Sequence, residues 1–278
     1  LAARSEWSFE ESLQMVLQAL LQSPQFLYRL EPVPLDSDGA DSLVHLEPYA
    51  LASRLSYFLW SSMPDDQLFE LAKQERLTDD AVLAAEIDRM LADSKAGALL
   101  SNFFGQWLQL RSLGQVQPDR ERFPSYDDEL RVAMREETER FTAAIVRENR
   151  SVLEFLDADY SFLNERLADH YGISGVEGNQ FRKVSLTDPR RGGILTHASI
   201  LTLTSNPTRT SPVKRGKWIL ENILGTPPPP PPPGVQALPE EGETELLGSL
   251  RERMAQHRSD PSCSVCHTKM DALGFGFE

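Results

Sequence analysis

The chain has 278 residues, with 28 Lys and Arg against 42 Asp and Glu, and so a formal charge of -14. That balance argues against a polyanionic partner, and no nucleic acid is expected. A hydrophobic content of 40% is ordinary for a globular protein and allows one large or two ordinary domains. No apolar run approaches the roughly 18 residues that a membrane span needs, so no transmembrane segment is expected.

In chain order the dominant signal is helical. Ser8 and Glu11 form a capping box, and Leu13, Leu17, Leu20 and Leu21 follow at helical spacing up to Pro24. Pro48 to Trp60 reads as a second helix, with Pro in its first turn and Leu51, Leu55, Phe58 and Leu59 on one face. Thr78 is read as the cap of a third, with Asp79 and Asp80 placed well against the helix dipole. Residues 95–111, rich in Leu, Phe and Trp, and residues 127–149, with Leu130, Met134, Phe141 and Ile145, read as two more. The aromatic and leucine stripe is core material. Strand evidence is confined to Phe181–Leu186.

After residue 190 the composition shifts. Ser205-Asn206-Pro207-Thr208-Arg209-Thr210-Ser211-Pro212 is loop chemistry, and Lys214 to Leu224 reads as a helix ended by Gly225. Seven prolines, Pro227 to Pro233, follow as a semi-rigid polyproline spacer. The expected architecture is therefore mainly α: a multi-helix body, a polyproline spacer and a small C-terminal segment. Its divisions are an N-terminal helical region (1–115), a second helical region (116–226), the linker (227–243) and a partial C-terminal segment (244–278), which the motif described next marks as cytochrome c-like and haem-binding. Both ends of the chain read as cuts in a longer protein.

That last segment holds the sharpest signal. Cys263-Ser264-Val265-Cys266-His267 contains the only two cysteines in the chain. Two thiols at this spacing can each form a thioether to one vinyl group of the same porphyrin, and the next residue is then delivered to the iron. A Cys-x-x-Cys pair is also a zinc half-site or a disulfide, and both alternatives stay open. Zinc requires four ligands, however, and only the distant His45, His170, His197 and His257 remain to supply them. A second axial ligand could be His257, His197 or Met254, or could lie beyond Glu278. Met270 is too close to His267 in sequence to reach the opposite face of the ring. Arg209 and Arg215, basic in an acidic chain, could hold haem propionates or an acidic substrate.

The chain resembles the large secreted multi-domain proteins of planctomycetes and related bacteria, built of tandem domains of unknown function with a cytochrome c-like haem motif. The resemblance rests on Leu51–Trp60 with Pro64-Asp65-Asp66, on Asp159-Tyr160 with Phe162-Leu163-Asn164-Glu165, and on Thr204–Gly216. The polyproline run, the Cys-x-x-Cys-His motif and Met270-Asp271-Ala272-Leu273-Gly274-Phe275 complete it. It implies an exported haem c protein, periplasmic or at the cell surface, acting in electron transfer or haem-dependent oxidation with a redox partner or substrate unspecified. The competing expectation is a noncatalytic binding or scaffold module clipped by zinc or a disulfide.

Overall fold

The structure, a computed structural model, describes residues 7–28, 46–230, 249–259 and 261–278. At Leu250, Arg253, His257, Pro261, Ser262, Cys263 and Val265 it describes the backbone alone. The chain forms two compact units, Leu1–Leu99 and Leu100–Glu278, and it is mainly α-helical with one two-stranded sheet among the described residues.

In the first unit, α1 (Phe9–Leu21) starts at the expected capping box, with Ser8 Oγ accepting from Glu11 N and Glu11 closing back on Ser8 N. It buries none of its residues, and its leucines stand exposed. The short α2 (Pro24–Leu27) follows, then α3 (Pro48–Trp60), α4 (Asp66–Lys73), α5 (Asp80–Ala92) and α6 (Gly97–Leu99). The cap of α5 is Asp79 rather than Thr78: its carboxylate accepts from Ala81 N and Val82 N, while Thr78 Oγ1 turns back to donate to Glu75 O. Trp60 closes the core of this unit. Its indole N–H donates to Met90 O at 2.9 Å, and Lys95 and Arg89 stand over its ring at 4.5 and 5.3 Å. Arg89 also bridges Asp65 and Glu86, and although burial opposes it, that bridge and the Leu68 N–H hold the Asp65 carboxyl below its ordinary range.

The stretch expected as one helix over residues 95–111 is broken. A π turn (Leu100–Phe104) runs into α7 (Gly105–Trp107), and a 3-10 segment covers Leu110–Gln115. The second unit is organised on α8 (Asp128–Arg147), capped by Asp127 Oδ1 at 2.7 Å from Leu130 N, with Leu130, Met134, Phe141 and Ile145 inward as their period requires. Around it lie α9 (Glu154–Asp157), β1 (Tyr160–Leu163), α10 (Glu165–Tyr171), β2 (Arg182–Ser185), α11 (Ala198–Leu203) and α12 (Pro212–Trp218). The expected strand is β2; its partner β1 pairs antiparallel, Tyr160 opposite Ser185 and Leu163 opposite Arg182. Last come α13 (Leu250–His257) and α14 (Pro261–Phe275). Residues 231–248, the last three prolines of the spacer included, lie outside the described residues.

The segment after the prolines packs back onto the helix before them. At the crossing of α12 and α14, a Cβ placed on Gly216 would sit 2.9 Å from Met270 Cα and closer still to its carbonyl. One on Gly274 would sit 2.8 Å from Pro212 Cα. Backbone therefore meets backbone, which only glycine permits at both points. Arg215 secures the far end: 4% exposed, it donates to Phe277 O at 2.5 Å and Glu278 Oε1 at 2.8 Å, while Thr210 Oγ1 donates to Glu278 Oε2.

Because the crossing has no space for a methyl group, Gly274→Ala is expected to destabilise the second unit by about 1–3 kcal/mol. Urea denaturation and hydrogen exchange across Pro212–Trp218 read this out, and an unchanged midpoint with unchanged protection would refute the close crossing.

Candidate functional site

The Cys-x-x-Cys-His run lies within α14, so Cys263 and Cys266 occupy positions three apart in one continuous helix, with His267 following at once. Positions at that spacing are neighbours on a helix surface. The Cys266 thiol is free and half-buried. His267 reaches forward one turn: its Nδ1 lies 3.0 Å from Asp271 Oδ1, with the imidazole 16% exposed and the carboxylate wholly enclosed. On its other side Asp271 Oδ2 stands 3.5 Å from Arg258 Nε, at the end of α13. Arg251 adds a cation over the Phe275 ring at 4.2 Å, tying α13 to α14 a second time.

One helix carries both cysteines at the sequence spacing that haem c attachment uses, and a carboxylate on Nδ1 would orient the histidine for ligation through its other nitrogen. Among the described residues no group of three or more His, Cys, Asp and Glu side chains is gathered as a metal site.

The other residues singled out by sequence are dispersed. Arg215 has its donors occupied by Thr204, Phe277 and Glu278 and is sealed in the fold, where burial lowers its pKa against the opposing charge of Glu278. Arg209 remains half-exposed, with one N–H on Thr210 O at 3.3 Å. Met254 is buried on α13, and Met270 is buried where α14 crosses Gly216. His257 ends α13, and its side chain lies outside the described residues. His197 is a core histidine: it sits edge-on to Phe141 at 4.9 Å with Nδ1 3.0 Å from Thr138 Oγ1.

His197 belongs to a buried polar layer that the sequence reading did not find. Glu137, on the inner face of α8, accepts from Ser161 Oγ on β1 and Tyr171 Oη on α10, both at 2.6 Å. Tyr171 Oη in turn accepts from Ala198 N at 2.7 Å, and Thr138 bridges His197 to Ser199. Tyr171 also borders an apolar cleft of about 380 Å³ with Tyr126, Met134, His170 and Arg191. The signal was present in the helical period: Glu137 falls on the same stripe as Leu130, Met134 and Phe141. Burial drives the Glu137 carboxyl up to about 7 against the hydrogen bonds from Ser161 and Tyr171, and drives the His197 imidazole down to about 3, aided by the charge of Arg191.

These observations define a mainly α-helical protein whose second compact unit includes a Cys-x-x-Cys-His helix. Residues 46–173 match the family described as PSD4, protein of unknown function (DUF1592), and residues 191–278 match PSCyt3, protein of unknown function (DUF1588). No curated protein and no solved structure matches the chain. No helix among the described residues is long and apolar enough to cross a membrane.

The buried pair sets a pH profile. Glu137, with its raised folded pKa, contributes stability that is present below its ordinary 4.5 and lost as pH rises through about 7. His197, with its lowered pKa, contributes stability that is present above its ordinary 6.5 and lost as pH falls toward about 3. Between 4.5 and 6.5 the two slopes oppose each other. Glu137→Gln should unmask the histidine, so that unfolding free energy relative to the parent rises with pH by about 1.4 kcal/mol per unit across that window. Parallel profiles for parent and variant would show that the carboxyl is not buried in the folded state.

Proposed function

We propose that the chain is an exported c-type haem protein, with haem attached through Cys263 and Cys266 and His267 as an axial ligand, working in electron transfer or haem-dependent oxidation. The observation that carries this reading is the placement of both cysteines and His267 in one helix, with the imidazole already held by Asp271. Attachment of haem c takes place outside the bacterial cytoplasm, which favours the periplasm or cell surface. The PSCyt designation of the domain that contains the motif is in keeping with it.

Bound there, haem would supply a one-electron iron couple. The chain's own residues do the rest. The α12–α14 crossing fixes the helix that carries both cysteines, Asp271 orients the ligand ring, and Arg209, half-exposed, is a cation available to an acidic partner. The second reading is a noncatalytic binding module whose cysteines hold zinc or a disulfide.

The chain, exported and matured with a haem c assembly system, should show Soret and α bands that survive denaturation. Single changes at Cys263 or Cys266 should leave at most one weakened linkage, and the double change to Ala should abolish covalent haem. A colourless product with one zinc per chain would select the second reading.

A further inference from the structure

The contact between His267 and Asp271 is more than a helix-surface pair. An i,i+4 pair exposed to water adds only about 0.3–0.5 kcal/mol and needs neither partner buried. Here the carboxylate is wholly enclosed and the imidazole 16% exposed. Asp271 Oδ2 is buried without a hydrogen bond, its compensation being the Arg258 guanidinium at 3.5 Å. Burying an incompletely satisfied carboxylate is unfavourable, and one that a fold retains calls for an explanation. Its neighbours Met270 and Gly274 are pinned against the backbone of α12, so Asp271 is carried on a helix that cannot roll away from the ring.

We propose that Asp271 is the positioning residue of the iron ligand. It accepts the Nδ1 proton of His267, fixes that tautomer, leaves Nε2 as the ligating nitrogen, and through its charge makes the imidazole a stronger donor. A stronger donor stabilises ferric over ferrous iron, so the site is set at low potential, suited to giving electrons to an oxidised partner or to a peroxide. Arg258 faces the other carboxylate oxygen from α13, 3.5 Å away. The inference rests on the haem reading above.

Two measurements separate the inference from that reading. In the chain produced without haem, nitrogen-15 spectroscopy at alkaline pH should find His267 protonated on Nδ1; a ring protonated on Nε2 overturns the proposal whatever the cofactor. In the haem-matured chain, Asp271→Asn keeps the shape and an acceptor but removes the charge, and its reduction potential should move upward. Asp271→Glu should return the potential toward the parent, which a purely structural role would not produce. Covalent haem with a potential unchanged by Asp271→Asn overturns the inference and leaves the haem reading intact. Absence of covalent haem in the parent overturns the haem reading, while the tautomer still reports the hold of Asp271 on the ring.

Discussion

The close crossing of α12 and α14 is the constraint on which the candidate site depends. Two glycines, Gly216 and Gly274, let backbone press on backbone where any Cβ would intrude. The helix that carries Cys266 and His267 is thereby made part of the second compact unit rather than an appendage. Dispersion contacts between backbones at this range are numerous and need no side-chain ordering, so the crossing is held at small entropic cost. The Arg215 clamp on Phe277 and Glu278 then fixes the same helix from its far end, through charge and hydrogen bonds rather than shape.

That crossing is also where the sequence was least legible. The proline run reads as a boundary because proline cannot continue a helix or a central strand, and everything after it was assigned to a separate segment. Nothing in local composition says that a helix beyond a spacer returns to the helix before it. Gly216 and Gly274 read individually as weak helix positions, and only their apposition gives them meaning. The same limit explains residues 95–111, where Leu99, Phe103, Phe104 and Trp107 share a plausible helical face, yet the backbone passes through a π turn. Ring contacts decide that path: Phe104 stacks on Phe155 at 5.8 Å, and Trp107 meets it edge-on while donating to Asn222 O.

Where local rules suffice, the sequence was a good guide. The Ser8 capping box, the proline-led α3 and the long α8 follow from caps and periodicity that act within a few residues. Asp79 displaced Thr78 as the cap of α5 because its carboxylate reaches two amide protons at once. The leucines of α1 obeyed helical spacing and still remained exposed, since a stripe declares a face without naming what covers it. In the site, the motif named Cys263, Cys266 and His267, but Asp271 became meaningful only when the helix placed it one turn from His267 and the packing enclosed it. For Arg215 the sequence offered a cation and the fold consumed it.

The second unit thus contains two buried carboxylates with opposite fates. Glu137 is shared between Ser161 and Tyr171, and burial drives its carboxyl up to about 7 against those hydrogen bonds and the charge of Arg191, so the neutral form is favoured below that pH and the layer acts as a hydrogen-bonded joint between α8, β1 and α10. Asp271 has Arg258 on one oxygen and an imidazole on the other, and so its charge is compensated where it stands. Of the two, only Asp271 lies beside residues that could bind a cofactor. A neutral carboxyl can join elements together, but it cannot polarise a ligand. The enclosed and compensated one can transmit its charge along the imidazole, because a low-dielectric setting weakens that interaction far less than water would. The docking of α14 on α12 is therefore electrostatic in its consequence as well as structural: it holds in place the helix whose enclosed carboxylate addresses His267.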